Sequence, residues 1–309
     1  MALFVIGIIV WTLASCTGSS AVGRETPDRS GAGPGPGTGT SAVSPPPTEQ
    51  PSLVVAAGDI CGERPGSCAA TADLIRSLHP DAVLTLGDNQ YPAGTLSEYR
   101  SSYDATWGRF RAITFPVAGN HEWETNGARG FKRYFGVGSV WSSSRIGNWR
   151  LYALDGTCSE DGGCAPGSRQ YTWLRRTLAS RSDRCILAYW HQPRFSSGTV
   201  HGSDAALAPF WRLLMGAGAD LVLNGHEHNY ERFARQDANG HASSAGIIEI
   251  VAGTGGESDG SYPFGPPLPT SSVRLNGLGV VVLKLSRHGW RESFVRPDGT
   301  VADRATGSC

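Results

Sequence analysis

The sequence has no excess of charge of either sign. Its 309 residues include 27 basic and 27 acidic side chains, which balance at neutral pH. A nucleic-acid-binding protein usually presents a basic face, so we expect no nucleic-acid partner. The length suits one globular domain with a sizeable core, together with an additional segment at one end.

Two common functional motifs are also missing. The sequence has no C-x-x-C pair of the zinc-ribbon type, and its late glycine-rich segment, IVAGTGGES, lacks the Lys-Ser/Thr pair of a P-loop. A zinc ribbon and a P-loop nucleotide site are therefore excluded. We expect IVAGTGGES to form a loop that borders a site elsewhere.

Large apolar side chains are nearly absent from residues 17–51, which are rich in Gly, Pro and Ser. Such a segment buries too little surface to offset its ordering entropy, so we predict a disordered tether. The remaining residues, 52–309, form the predicted catalytic domain.

The N-terminus, residues 1–16, reads MALFVIGIIVWTLASC, an apolar segment that is short for a bilayer span and ends in small residues. This pattern is typical of an export signal. Leu13–Cys16 further resembles a bacterial lipoprotein signal, in which Cys16 is lipidated, although no basic residue precedes the apolar run. The alternative is a plain secretory signal with an incidental cysteine. We expect the protein on the extracellular face of the cell membrane, held there only through its lipidated N-terminus, or secreted.

Six further cysteines in an exported chain indicate disulfides. Sequence alone permits fifteen pairings of six cysteines. The short spacings favour Cys61–Cys68 and Cys158–Cys164, which leaves Cys185–Cys309.

From residue 52 onward, apolar runs alternate with helical periodicity. The near-continuous apolar runs predict strands buried on both faces, in an α/β core. One helix is predicted across TLSEYRSSYDATWGRF. The last apolar runs, beginning with GIIEIVAGTGG, have no helices between them and look like an antiparallel addition.

Polar residues follow five of the predicted strands at the points where they end. These are Gly58-Asp59, Gly87-Asp88, Gly119-Asn120-His121, His191, and Gly225-His226-Glu227-His228. In open α/β sheets, ligands bind beyond the carboxyl ends of the strands, so we expect these residues at one sheet edge. A single strand-end Asp is usually a cap and a single His usually a satisfied polar residue, but five such coincidences indicate a site.

Carboxylate and amide oxygens mixed with imidazoles suit Fe, Mn or Zn. Seven or eight ligating groups are too many for one ion, so the pattern predicts two metal ions, bridged by a carboxylate.

The ordered set GD, GDxxY, GNHE, a strand-end His and GHxH resembles the calcineurin-like metallophosphoesterases, and within them most the purple acid phosphatases. The resemblance covers about residues 53–295. It implies a four-layer αββα sandwich. It also implies that the first metal is bound by Asp59, Asp88, Tyr91 and His228, and the second by Asp88, Asn120, His191 and His226.

Tyr91 distinguishes this branch, because many relatives have Asp-x-His as the first motif and this sequence has Asp59-Ile60-Cys61. By resemblance, Tyr91 binds Fe(III) as a phenolate, and the second ion is Zn, Mn or Fe. Two alternatives are that Tyr91 only packs on the turn, and that Cys61 is a thiolate ligand instead of a disulfide partner.

The resemblance assigns catalysis to His121, which assists the leaving group while a metal-bound hydroxide attacks a phosphomonoester. Glu122 is a candidate to orient His121. Asn120 and His201 are candidate phosphate contacts, and the alternative for His201 is a surface loop histidine.

Two rival functions are a phosphodiesterase of nucleotides or envelope polymers, and a non-enzymatic lipoprotein that retains the fold for binding. The intact ligand set argues against the latter. The partner expected in either enzymatic case is a phosphorylated small molecule; the sequence does not determine the oligomeric state.

Overall fold

A computed structural model of the protein describes residues 50–63, 66–160 and 162–309. The predicted signal peptide with its lipidation site Cys16, and residues 17–49 of the predicted tether, lie outside these ranges. Within them, none of the helices combines the length and the apolarity needed to cross a bilayer.

The strands have the following bounds: β1 (Ser52–Ala57), β2 (Ala82–Leu86), β3 (Thr114–Val117), β4 (Ser142–Ile146), β5 (Trp149–Ala153), β6 (Cys185–Tyr189), β7 (Leu221–Asn224), β8 (Tyr230–Phe233), β9 (Ile248–Ala252), β10 (Ser271–Leu275), β11 (Val280–Ser286), β12 (Gly289–Val295) and β13 (Val301–Ser308). The α-helices are α1 (Ala69–Leu78), α2 (Leu96–Glu98), α3 (Asn120–Trp123), α4 (Arg129–Phe135), α5 (Arg169–Ala179) and α6 (Ala208–Gly216). Shorter helical segments are the π-helical Tyr99–Tyr103 and the 3₁₀-helical Trp107–Ile113, Asn126–Ala128 and Ala205–Leu207.

The strands form two sheets. The first has the order β13-β12-β11-β1-β2-β3, and the second has the order β10-β8-β9-β7-β6-β5-β4. Strands β1, β2 and β3 are parallel to one another, as are β5, β6, β7 and β9. On the other side of β1, three strands follow in antiparallel order: β11 pairs with β1, β12 with β11, and β13 with β12.

Both faces of the central strands are buried. In β1, Val54 and Ala56 belong to the core between the two sheets, whereas Val55 and Ala57 belong to a second core under α1 and α4. A third core joins the outer face of the second sheet to α5 and α6. The fold is therefore the predicted four-layer αββα sandwich. Each fully buried Val or Leu stabilises it by about 1.5–3 kcal/mol, which explains the near-continuous apolar runs.

The single helix predicted across residues 95–110 is wrong, because this segment is broken. Helix α2 gives way to the π-helical turn and then to the 3₁₀ segment, and Thr106 between them has non-helical dihedral angles of φ −118° and ψ −98°. The break buries Tyr99 and Tyr103 completely, so tertiary packing overrides the local helical preference.

The strand pattern was only partly predicted. Strand β9, expected in an antiparallel addition, pairs antiparallel with β8 on one side and parallel with β7 on the other. Strands β4, β8, β10 and β13 were not predicted. Three of these, β4, β10 and β13, are sheet edges, and edge strands carry polar residues that leave no apolar run to recognise.

The structure contains the three disulfides that the cysteine spacings favoured: Cys61–Cys68, Cys158–Cys164 and Cys185–Cys309. Because Cys61 is bonded to Cys68, the alternative of a Cys61 thiolate ligand is wrong. Cys185 begins β6 and Cys309 follows β13, so the third disulfide links the second sheet to the edge strand of the first.

We expect the third disulfide to stabilise the fold more than the second. The sequence separations are 124 residues for Cys185–Cys309 and 6 for Cys158–Cys164. The loop-closure model then gives about 5 kcal/mol for the long loop and about 2 kcal/mol for the short one. Denaturant unfolding of a Cys185→Ala/Cys309→Ala double variant, with Cys158→Ala/Cys164→Ala as the matched control, measures the difference. Equal losses would contradict it.

Candidate metal centre

Three of the strand ends make turns in the left-handed backbone region. Asp59, Asp88 and His226 have φ values of 57°, 46° and 74°, a conformation that costs about 1–2 kcal/mol for non-glycine residues. Gly87, with φ 86°, precedes Asp88, and a Cβ atom there would lie 2.6 Å from the His191 ring. A side chain at residue 87 therefore conflicts with both the turn and the packed imidazole.

The strand ends belong to two sheets, not to the single sheet edge expected from the sequence. Asp59, Asp88 and Asn120 follow β1, β2 and β3 of the first sheet, whereas His191 and the His226–His228 segment follow β6 and β7 of the second. The site lies where the carboxyl ends of both sheets meet. A hydrophobic pattern shows that a strand is buried, but not in which of two sheets it lies.

One group of side chains surrounds the hydroxyl of Tyr91. This oxygen lies 3.0 Å from Asp59 Oδ1, 3.0 Å from Asp88 Oδ2 and 3.3 Å from His228 Nε2. His228 Nε2 is itself 3.1 Å from Asp59 Oδ1. The four residues assigned by resemblance to the first metal are thus brought together.

A second group shares Asp88. Its Oδ2 lies 3.1 Å from His191 Nε2, which is 3.1 Å from His226 Nδ1. One ligand atom from each of these three residues lies within 4.8 Å of the others. Among the described residues, the buried Oδ1 of Asn120 has no hydrogen-bond partner. An unpaired buried acceptor is costly, and a cation would satisfy it.

The carboxylates dominate the electrostatics. Burial alone would raise the pKa values of Asp59 and Asp88, but nearby imidazoles outweigh it, chiefly His228 for Asp59 and His191 for Asp88, so both pKa values are lowered and the two groups stay ionised. Conversely, burial lowers the pKa of His228, but Asp59 and Glu257 raise it to about 10. Buried negative charge of this kind attracts metal cations.

The protein groups by themselves oppose a phenolate at Tyr91. Burial, followed by the charges of Asp59 and Asp88, raises the pKa of the phenol well above its usual value. A phenolate therefore requires a cation of high charge beside it, which reverses the sign of the local field. The arrangement fits two metal ions, because hard oxygens and imidazoles converge in two groups that share one carboxylate.

His121 lies beside these groups at the mouth of the site. Its backbone N–H donates to Asp88 Oδ1 at 2.9 Å, and its ring centroid lies 4.2 Å from that of Tyr91. Nδ1 is within hydrogen-bonding distance of the Pro92 carbonyl oxygen, while Nε2 lies 3.9 Å from Asp88 Oδ2. The side chain is 33% exposed, so a substrate can reach it.

Glu122 shows no hydrogen bond or ion pair between its carboxylate and the His121 ring among the described residues, so its predicted role in orienting that ring is unsupported. Its carboxylate accepts hydrogen bonds from the backbone N–H groups of Asn89 (2.9 Å), Gln90 (3.3 Å) and Gly119 (2.7 Å), and from the Tyr99 hydroxyl (3.0 Å). Glu122 therefore ties the turn after β2 to the turn after β3.

His201 lines the same cleft, which has a volume of about 450 Å³. Its ring stacks on His226 with centroids 4.1 Å apart, and burial lowers its pKa. Its backbone N–H and that of Gly202 donate to the buried Glu227 carboxylate at 2.7 and 2.6 Å. The loop carrying His201 is thus held against the GHxH segment.

Sequence reasoning missed three residues that contact a predicted ligand. Glu257 and Ser258 lie within hydrogen-bonding distance of His228, and Tyr262 stacks on it. All three belong to the loop after β9. This loop begins within the segment IVAGTGGES, which we expected to border a site. Because β9 is parallel to β7, its carboxyl end lies at the same edge as the histidines. The direction of β9 would have indicated this loop, but the sequence pattern did not show it.

The two ligand groups at the junction of the sheets fit a dinuclear metal centre. The family described as calcineurin-like phosphoesterase matches residues 52–230 of this sequence. The chain belongs to that family.

Several relatives are purple acid phosphatases. Purple acid phosphatase 15 from Arabidopsis thaliana is 30% identical over 258 residues, which cover 69% of this chain and 46% of that protein. A purple acid phosphatase from yellow lupin (Lupinus luteus) seeds superposes with a TM-score of 0.66 at 21% identity, over 83% of this chain and 53% of that one. This chain therefore spans about half the length of these relatives. The homology supports a metal-dependent phosphatase and implies a dinuclear metal centre.

We expect Glu122→Ala to destabilise the protein by more than about 2 kcal/mol, because several buried donors lose their acceptor. The matched control is Glu124→Ala, an exposed position two residues away, which we expect to change stability by less than about 0.5 kcal/mol. Urea unfolding of the two variants measures both values. Similar stabilities for the two would show that Glu122 does not hold the turns.

Proposed function

We propose that the protein hydrolyses phosphomonoesters of small molecules at a dinuclear centre of Fe(III) and a divalent ion, Zn, Mn or Fe. The observation that carries the proposal is the convergence of two ligand groups on Asp88, beside the accessible His121. When bound, the two ions neutralise phosphate charge and supply a nucleophile from water near neutral pH.

The side chains around the cleft have distinct proposed roles. The ions are held by the seven residues of the two ligand groups: Asp59, Asp88, Tyr91, Asn120, His191, His226 and His228. Asn120 and His201 also contact the phosphate oxygens. The Pro92 carbonyl oxygen accepts a hydrogen bond from Nδ1–H of His121. The imidazolium form of the ring then donates its Nε2 proton to the departing alcohol oxygen and is left as the neutral imidazole.

We further propose that the protein acts outside the cytoplasm, either lipid-anchored through Cys16 or secreted. The three disulfides support an oxidising compartment, since disulfides are rare in cytosolic proteins. The apolar N-terminal segment supports export.

The iron assignment predicts a visible charge-transfer band that depends on Tyr91. We expect the purified protein to absorb visible light and Tyr91→Phe to lose the band, because only a phenolate bound to Fe(III) produces it. Absorption spectra with metal analysis of both proteins provide the measurement. Tyr152→Phe, a tyrosine outside the site, is the control. A colourless protein that still holds two divalent ions and hydrolyses phosphate esters would retain the phosphatase but reduce Tyr91 to scaffolding.

The role of His121 predicts a loss of kcat that depends on the leaving group. His121→Ala should lower kcat by about 10²–10⁴-fold for an alkyl phosphate such as glycerol phosphate, because a poor leaving group needs the proton. The loss should be smaller for p-nitrophenyl phosphate. The control is His241→Ala, an exposed histidine with 76% side-chain exposure.

Comparison with bis-p-nitrophenyl phosphate separates the rival functions. Faster turnover of the diester than of p-nitrophenyl phosphate would favour the phosphodiesterase. Failure of the metal-loaded protein to hydrolyse either would favour a binding protein that retains the fold.

The His121 prediction is contradicted by equal losses of kcat for alkyl and aryl phosphates in His121→Ala, since proton donation to the leaving group should matter most for the alkyl phosphate.

A further inference from the structure

The two ring nitrogens of His228 face different surroundings. Nε2 points into the candidate metal centre, 3.1 Å from Asp59 Oδ1 and 3.3 Å from the Tyr91 hydroxyl. Nδ1 points away from it, 3.1 Å from Glu257 Oε2 and 3.0 Å from Ser258 Oγ. The imidazole therefore lies between two sets of oxygen atoms and is only 5% exposed.

The loop that carries Glu257 is held by its backbone to the strand ends of the site. Glu257 N–H donates to the Asp59 carbonyl oxygen at 2.9 Å, and Gly255 N–H donates to that of Gly58 at 2.8 Å. Tyr262 N–H donates to the His228 carbonyl oxygen at 3.0 Å. The carboxylate is thus placed by the same main chain that places Asp59 and His228.

Stacking restricts the remaining freedom of the imidazole. The ring of Tyr262 is parallel to that of His228, with centroids 4.1 Å apart and an interplanar angle of 9°. Because stacking restrains the plane of the ring, Nδ1 stays directed at Glu257 and Ser258 while Nε2 stays directed into the candidate metal centre.

In the described part of the chain, neither His191 nor His226 shows a carboxylate on the nitrogen turned away from the site. Nδ1 of His191 lies 2.8 Å from the carbonyl oxygen of Leu86, a neutral acceptor. His226 turns Nδ1 toward His191 and stacks its ring on His201. Among the described residues, the outer carboxylate contact is therefore a property of the side of the site that contains Asp59, Tyr91 and His228.

We propose that Glu257 is a positioning residue for His228: it accepts a hydrogen bond from Nδ1–H, which leaves the Nε2 lone pair for the metal, and it adds negative charge beside that ion. The proposal rests on the proposed function only in that a metal ion binds at Nε2. Carboxylate partners of metal-bound histidines raise ligand basicity, and their removal typically weakens metal binding about 10–100-fold. The extra charge favours the more highly charged of the two ions on this side.

Substitutions of Glu257 separate the hydrogen bond from the charge. Glu257→Gln keeps an oxygen acceptor for Nδ1–H and removes the charge, whereas Glu257→Ala removes both. Glu63→Gln is the control, because Glu63 lines the same cleft and shows no hydrogen bond to an imidazole among the described residues. It removes the same charge from the cleft without contacting His228.

The test titrates the purified full chain, stripped of metal, with Zn²⁺ alone against a chelating dye. We expect Zn²⁺ binding to weaken about 10–100-fold in Glu257→Ala and less in Glu257→Gln, and to stay unchanged in Glu63→Gln. NMR of the Zn²⁺-loaded protein should show a slowly exchanging downfield proton on His228 Nδ1. This proton should persist in Glu257→Gln and exchange faster and shift upfield in Glu257→Ala, where only the Ser258 hydroxyl remains as an acceptor.

The outcomes distinguish this inference from the proposed function. Unchanged Zn²⁺ affinity and an unchanged Nδ1 proton in Glu257→Ala, in a wild-type protein that hydrolyses phosphate esters, would overturn the inference alone. Weakened Zn²⁺ binding in Glu257→Ala, with no hydrolysis by the wild type, would support the inference and overturn the function. A wild-type protein that binds no Zn²⁺ would overturn both.

Discussion

The structure depends on burying two ionised carboxylates, Asp59 and Asp88, where the two sheets meet. Charges taken out of water cost several kcal/mol each unless they are compensated. Here backbone N–H groups provide part of the compensation, since His226 donates to Asp59 Oδ2 at 2.7 Å and His121 donates to Asp88 Oδ1 at 2.9 Å. The imidazoles of His191 and His228 provide another part. Metal ions would complete the compensation, so the two carboxylates form a site that favours cations.

Much of the surrounding structure serves to keep this pair in place. The left-handed turns at Asp59 and Asp88 bring main-chain N–H groups and carbonyl oxygens close together, and the glycines beside them make room. Glu122 binds the turn at Asp88 to the turn after β3 and to Tyr99 on the π-helical segment. The local strain of such turns is sustained only because the packed strands behind them over-determine the backbone. The loop after β9 extends the same support outward to His228.

The parts of the fold that could be predicted were those whose local residue pattern has a single physical explanation, such as burial of a strand on both faces. Buried strands such as β2 and β6 read as apolar runs because both of their faces are covered. The broken helix around Tyr99 and Tyr103 could not be predicted, because its local pattern is helical and its break comes from long-range contacts to Glu122 and Gln90. The polar edge strands β4 and β13 were not predicted, because they bury too few side chains to produce an apolar run in the sequence.

The kinds of chemical group in the site and their order along the chain could be predicted from the sequence, because Asp, Asn, His and Tyr follow strands whose carboxyl ends carry ligands. The sequence also favoured the disulfide pairs that close short loops. The packed structure was needed to show that the site draws its residues from two sheets, that Glu122 joins two turns instead of bonding to the ring of His121, and that Glu257 faces His228. These relations join residues far apart in the chain, such as His121 and Asp88, whose proximity is set by packing of the layers and leaves no trace in local periodicity.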